Sequence, residues 1–129
     1  MADSPGQLGA LTLRNRIIKT ATYEGMSPGG IANEALIEHH RRLAQGGVGM
    51  TTVAYCAVSS EGRTFGDQLQ LCPESLPVLQ ALTEAVHNEG AAASLQLGHC
   101  GGDLKSEKKL LSRVSTNYFQ HFSCYSSWI

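Results

Sequence analysis

Apolar and polar positions alternate along the chain in a repeating order of extended and helical stretches. Residues 8–14 alternate weakly around Gly9 and predict a short hairpin or extended lead-in. Residues 16–22 (Arg16-Ile17-Ile18-Lys19-Thr20-Ala21-Thr22) are rich in β-branched side chains, lie between Asn15 and Gly25, and predict a strand. After the Ser27-Pro28-Gly29-Gly30 loop, Asn33 is a good N-cap and Glu34 suits the positive end of a helix dipole. Ala32, Leu36, His40 and Leu43 then recur at helical spacing, Arg41 and Arg42 fall in the last turn, and Gly46-Gly47 closes the helix. Residues 48–54 are uncharged and predict a second strand, buried on both faces. Residues 55–74 read as one long loop, of a length that usually carries function. Leu76, Leu79, Leu82 or Thr83, and Val86 mark a second amphipathic helix, with Pro77 in its first turn and Gly90 at its end. Residues 91–97 predict a third strand.

The order is β-α-β-α-β. Helical crossovers make the strands parallel and the connections right-handed. Two architectures use this repeat, the doubly wound sheet and the (β/α)8 barrel.

Composition bounds the partners. The 129 residues are 42% hydrophobic and 16% charged, as in a globular domain with a real core. A net charge of −1 gives no basic footprint, so no nucleic acid partner is expected. No apolar run approaches the roughly 18 residues of a membrane span. The start, Met1-Ala2-Asp3-Ser4-Pro5, lacks a signal-peptide pattern. Cys56, Cys72, Cys100 and Cys124 are widely spaced with no CxxC pair, which suits reduced thiols and a cytoplasmic protein. The totals also hide a break. All 14 glycines and all 4 prolines precede residue 103, whereas Tyr118, Phe119, Phe122, Tyr125 and Trp128 crowd the end. The chain therefore divides into residues 1–102 and a tail, 103–129. The start of that tail, Ser106 to Val114, suits a short helix or a disordered segment.

Chemistry is expected where the strands end. The dense cluster Gly46-Gly47-Val48-Gly49 follows a helix and opens a strand, so it terminates structure and cradles no phosphate. The loops after the strands are polar instead: Thr22-Tyr23-Glu24-Gly25, the 55–74 loop, and His99-Cys100-Gly101-Gly102. Gln96 is an amide in an otherwise apolar strand and needs a hydrogen-bond partner. His40 lies between Leu36 and Leu43 on the apolar helix face and reads as a core residue. His39 and His40 are adjacent, so they are not expected to share a face as a zinc pair would, and no metal is expected.

Several motifs carry a resemblance. They are Leu13-Arg14-Asn15-Arg16-Ile17-Ile18, Arg42-Leu43-Ala44-Gln45-Gly46-Gly47-Val48-Gly49-Met50, Val58-Ser59-Ser60-Glu61-Gly62-Arg63, His87-Asn88-Glu89-Gly90, and Gln96-Leu97-Gly98-His99-Cys100-Gly101. In this order they resemble the old yellow enzyme family, the FMN-dependent NADH:flavin oxidoreductases and ene-reductases. The resemblance covers about residues 8–102. It implies the N-terminal β-α-β-α-β third of a (β/α)8 TIM barrel, incomplete, with an unrelated C-terminal tail. It implies FMN across the C-terminal mouth, with Thr20, Ala21, Thr22 and Tyr23 against the flavin ring and Tyr55 as a further contact at the end of strand two. Gln96 would hydrogen-bond the pyrimidine edge, where an amide can donate and accept at once. His99 would line the substrate site or support it from behind. Tyr23 departs from the family, which usually places a small Thr or Cys there. The plainer reading of Thr20 and Thr22 is that they are strand formers.

By the same resemblance NADH or NADPH reduces the flavin, and hydride passes to the activated C=C bond of an enone-like small molecule. The family's substrate-anion pair and phosphate site belong to later strands and have no counterpart in this sequence. The alternative is a truncated, non-catalytic fragment, unstable or surviving by association through open sheet edges.

Overall fold

The computed structural model describes residues 1–99 and the backbone of residues 120–122. The chain opens with the expected hairpin: β1 (Gly6–Leu8) pairs antiparallel with β2 (Leu11–Leu13), turning through Gly9. Next come β3 (Ile18–Lys19), α1 (Glu34–Gln45), β4 (Met50–Ala57), α2 (Leu76–Asn88) and β5 (Ala92–Gly98). β3, β4 and β5 are successive parallel neighbours in one sheet, as two helical crossovers require.

Local signals explain α1. Asn33 Oδ1 accepts from Leu36 N at 3.2 Å, and Glu34 occupies the first turn. Gly47 ends the helix with a φ of 102°, a conformation that suits glycine. The buried stripe is Leu36, His40 and Ala44. Ala44 completes it rather than Leu43, because positions four apart stay on one face. On α2, Leu82 and Val86 are buried, and both join Leu36, Ala44, Val53, Cys56, Leu69 and Ala91 in a single core. Each fully buried Leu or Val contributes roughly 1.5–3 kcal/mol relative to exposure. β4 is buried along its length except at Tyr55, as its uncharged sequence foretold.

Two boundaries differ from the expectation, each for a physical reason. β3 holds only Ile18 and Lys19, not residues 16–22. Its ladder stops at Lys19↔Thr51, and side chains take over. Lys19 Nζ donates to Thr52 O at 2.9 Å, while Glu24 Oε2 accepts from Ala54 N at 3.1 Å. β4 continues to Ala57, because the far side of the 55–74 loop returns beside it. Ala57 N donates to Leu69 O and Leu71 N to Ala57 O, both at 2.8 Å. Tyr55 therefore lies within a strand, not in the loop.

The motifs at the N-terminal edge of the sheet form one lock. Arg14 donates to Val48 O, to Glu89 O at 2.6 Å and to Ala44 O, tying down carbonyls at the C-terminal ends of both helices. Asn15 Nδ2 donates to Gly47 O at 2.7 Å, and Gly49 N donates to Ile17 O at 2.8 Å.

A further strand, β6 (Gln120–Phe122), pairs antiparallel with β5 in the register Leu95↔Phe122, Gln96↔His121, Leu97↔Gln120. It runs against the direction of the barrel repeat and covers part of an edge that three strands alone would leave open. The expected helix over 106–114, Cys100 and Cys124 lie outside the described residues. Among the described residues no helix is long and apolar enough to cross a membrane.

Candidate functional site

The regular ladder between β4 and β5 breaks where chemistry was expected. Val53 pairs with Leu95, and the next pair is Cys56 with Leu97. Ala54 and Tyr55 thus stand together opposite one residue, Gln96. This is a β-bulge, a device that bends a strand and re-aims its side chains, and one over-represented beside active sites. Two sequence-derived candidates, Tyr55 and Gln96, meet at it. Gln96 Oε1 is buried and accepts no hydrogen bond within the described residues. Leaving a buried polar atom unpaired costs about 1–3 kcal/mol.

Tyr23 joins Tyr55. Their rings stack with centroids 5.9 Å apart and planes 17° apart, and Phe65 lies 4.9 Å from Tyr23. The Tyr23 hydroxyl donates to Asp67 Oδ1, and Ser27 N donates to Asp67 O at 3.1 Å. Asp67 thereby straps the returning loop to the stretch after β3. Burial raises the Tyr23 phenol, and the hydrogen bond and charge of Asp67 add to it, up to about 12. Phe65, 48% exposed, and Asp67 were missed in the sequence. The available signal was their position in a long loop with few other aromatic residues before the tail.

The other candidates are placed as follows. Thr20, Ala21 and Thr22 lie in coil between β3 and Tyr23, with both threonines exposed. Thr22 Oγ1 reaches back to Thr20 O at 3.5 Å. His99 follows β5 directly and packs on Gly62, where an added Cβ would stand 2.7 Å from His99 Cδ2. The glycine of the Ser59-Ser60-Glu61-Gly62 motif thus makes room for the histidine ring.

Beside the bulge lies a charged cluster that sequence reasoning did not single out. Glu24 is 4% exposed at its side chain, and Oε1 pairs with Lys19 Nζ. His40 is fully buried, with Nδ1 2.7 Å from Thr51 Oγ1 and Nε2 3.5 Å from Glu24 Oε1. Its placement in the core agrees with the sequence. The divergence expected of His39 and His40 does not occur. Their ring centroids are 5.1 Å apart, edge to face, and ligand atoms of Glu24, His39 and His40 lie within 4.8 Å of one another. α1 packs beside the coil after β3, so both rings approach Glu24. That spacing suits a metal ion, but the Lys19 ammonium already supplies the cation at the same oxygen, and we read the group as an ion-pair network. Burial raises the Glu24 carboxyl, but His40, Lys19 and Ala54 N outweigh it and hold it below its ordinary value. A cavity of about 410 Å³ against α1, lined by Met26, Ala35, Glu38, His39, Arg42 and Leu43, shares His39 with this cluster and includes none of the residues expected to hold the flavin.

Comparison with known proteins places this arrangement. The chain is 55% identical over 97 residues to a 4,4'-dithiodibutanoate disulfide reductase of Rhodococcus erythropolis, covering 75% of this chain and 24% of that protein. It is 39% identical over 98 residues to a metal reductase of Desulforamulus reducens, covering 76% of this chain and 15% of that protein. The chain thus spans a quarter or less of these two relatives. Among solved structures, an old yellow enzyme homologue from Zymomonas mobilis superposes with a TM-score of 0.69 at 22% identity, over 76% of this chain and 28% of that one. That likeness identifies the fold as part of an old yellow enzyme TIM barrel. The profile of the NADH:flavin oxidoreductase / NADH oxidase family matches residues 4–122, which runs past the composition break near residue 102. The chain belongs to the NADH:flavin oxidoreductase / NADH oxidase family.

Proposed function

We propose that this segment forms the flavin-ring side of an FMN-dependent oxidoreductase barrel. NADH or NADPH is the reductant, and the acceptor is an activated C=C bond of an enone-like small molecule. The observation that carries the reading is Gln96, whose buried Oε1 has no donor among the described residues at the bulge it shares with Tyr55. A flavin pyrimidine edge presents both N–H and C=O groups, and an amide can answer both. FMN, when bound, supplies the two-electron hydride chemistry. The chain binds and orients the ring through the Thr20-Ala21-Thr22-Tyr23 stretch, Tyr55 and Gln96, with His99 lining the substrate side or supporting it. Tyr23 stands where a small residue is usual, and its hydroxyl is engaged by Asp67. It therefore offers ring surface more than a proton.

The substrate-anion and phosphate sites of a family barrel belong to strands beyond those matched here. The chain by itself is accordingly expected to bind the ring weakly and to catalyse little NAD(P)H oxidation. Flavin fluorescence titration tests this. Riboflavin and FMN should quench saturably with similar affinity, because the phosphate is not gripped. Gln96→Leu should weaken both about tenfold, the worth of roughly 1–1.5 kcal/mol in one hydrogen bond. Unsaturable quenching, or an unchanged Gln96→Leu, overturns the reading. A second reading, a non-catalytic fragment that associates, is favoured by the position of β3 at the sheet edge. Concentration-dependent elution in gel filtration without flavin binding would support it.

A further inference from the structure

We propose that Glu24 is a positioning residue that closes the bulge and so sets where Tyr55 and Gln96 stand. Its value for flavin binding rests on the function proposed above. The argument begins with the ladder. β3 and β4 pair only at Ile18↔Met50 and Lys19↔Thr51. Beyond that point the bulge has already disrupted the β4–β5 register at Ala54 and Tyr55. β3 has ended before it comes level with Ala54, so the Ala54 N–H, which faces that side, has no ladder partner there. Here Ala54 is 4% exposed, so water does not readily serve its N–H. Glu24 Oε2 takes that N–H at 3.1 Å.

The other carboxylate oxygen fixes the coil that carries Thr20 to Tyr23. Oε1 pairs with Lys19, which also donates to Thr52 O at 2.9 Å. His40, held at Thr51 Oγ1, closes the group from the helix side with Nε2 3.5 Å away. One side chain therefore joins three elements: the end of β3, the bulged residue of β4, and α1. The residues it joins flank every ring contact proposed before Gln96. Glu24 itself touches no proposed ligand atom, so its action runs through Ala54 and Lys19.

The test uses the full chain and three variants, Glu24→Gln, Glu24→Asp and Glu24→Ala. Amide hydrogen exchange reads Ala54 and Tyr55 against Val86 in the core, and riboflavin added to each protein reads the site by induced visible circular dichroism. Glu24→Gln keeps an oxygen for Ala54 N, so Ala54 protection should fall less than about threefold and the dichroism band should persist. Glu24→Asp keeps the charge but is one methylene short. Ala54 protection should then fall at least about tenfold, with Val86 unchanged and the band lost or reshaped. Glu24→Ala should do the same, and the two milder variants keep the test usable if it fails to fold. Unchanged Ala54 protection in Glu24→Asp overturns the proposal, as does a band unchanged in Glu24→Asp when the parent protein binds riboflavin. If the unsubstituted chain gives no band while Ala54 protection still falls in Glu24→Asp, the clamp on the bulge is supported and the flavin reading alone is overturned.

Discussion

Gly49 offers a direct test of the lock at the N-terminal edge of the sheet. A Cβ added there would stand 2.5 Å from Asn15 O and 2.8 Å from Asn15 Oδ1. Ordinary contact begins near 3.4 Å, so Asn15 would have to retreat by about 0.9 Å. It is poorly free to do so. The nearest atom is backbone, and the side chain is held by Gly47 O at 2.7 Å and Ile17 N at 3.1 Å. Overpacking of this kind costs roughly 1–3 kcal/mol. Loss of one of these hydrogen bonds adds about 1 kcal/mol. Gly49→Ala should therefore destabilise by about 2–4 kcal/mol, a large part of the roughly 5–15 kcal/mol of an ordinary domain. Urea unfolding followed by far-ultraviolet circular dichroism measures this as a lower midpoint at unchanged slope. Gly66→Ala is the control, since a Cβ there meets nothing within 4 Å. It should stay within about 0.5 kcal/mol of the parent. A Gly49→Ala midpoint no lower than that of Gly66→Ala would refute the steric argument.

Two further outcomes follow from the titrating groups. The Tyr23 phenol, raised from 10.0 to about 12, contributes stability that is complete below pH 10 and is lost as pH rises through 12. Asp67→Asn removes the charge, so the late phenolate step in an ultraviolet titration should move back toward 10. A parent protein without such a late step would contradict the Tyr23–Asp67 contact. Cys56 is fully buried, and burial first, then the neighbouring Cys72, pushes its thiol up to about 12. Iodoacetamide at neutral pH should thus label Cys72 at least about tenfold faster than Cys56. Equal labelling in peptide mass analysis would count against the packing of β4.

What the sequence disclosed, and what it withheld, follows the range of the forces involved. α1 was legible because its determinants are local: Asn33 caps one end and Gly46-Gly47 ends the other. β4 was legible because a central strand needs an uncharged run. The length of β3 was not, because the groups that replace its ladder lie far along the chain, with Lys19 reaching Thr52 and Glu24 reaching Ala54. The bulge was hidden for the same reason, since a register shift is a property of two strands and neither sequence announces it. Glu24 read as one polar residue of a loop, although its burial makes it a structural hub. Gln96 and His99 were legible as candidates from the resemblance, and Gln96 also from the need of a buried amide for a partner. Their surroundings still had to come from the structure. The motifs behave alike in this respect. Leu13-Arg14-Asn15-Arg16 is answered by Gly46-Gly47-Val48-Gly49, because Asn15 fills the space a Gly49 side chain would need. Ser59-Ser60-Glu61-Gly62 is answered by Gln96-Leu97-Gly98-His99, because the His99 ring rests where a Gly62 side chain would stand. Motifs that look independent along the chain are two halves of one contact. The first pair sits at the N-terminal edge of the sheet and holds the fold, while the second sits at the C-terminal edge beside the bulge. Position along the strands, more than residue type, separates the glycine that makes room for Asn15 in the scaffold from the glycine that makes room for His99 beside the candidate site.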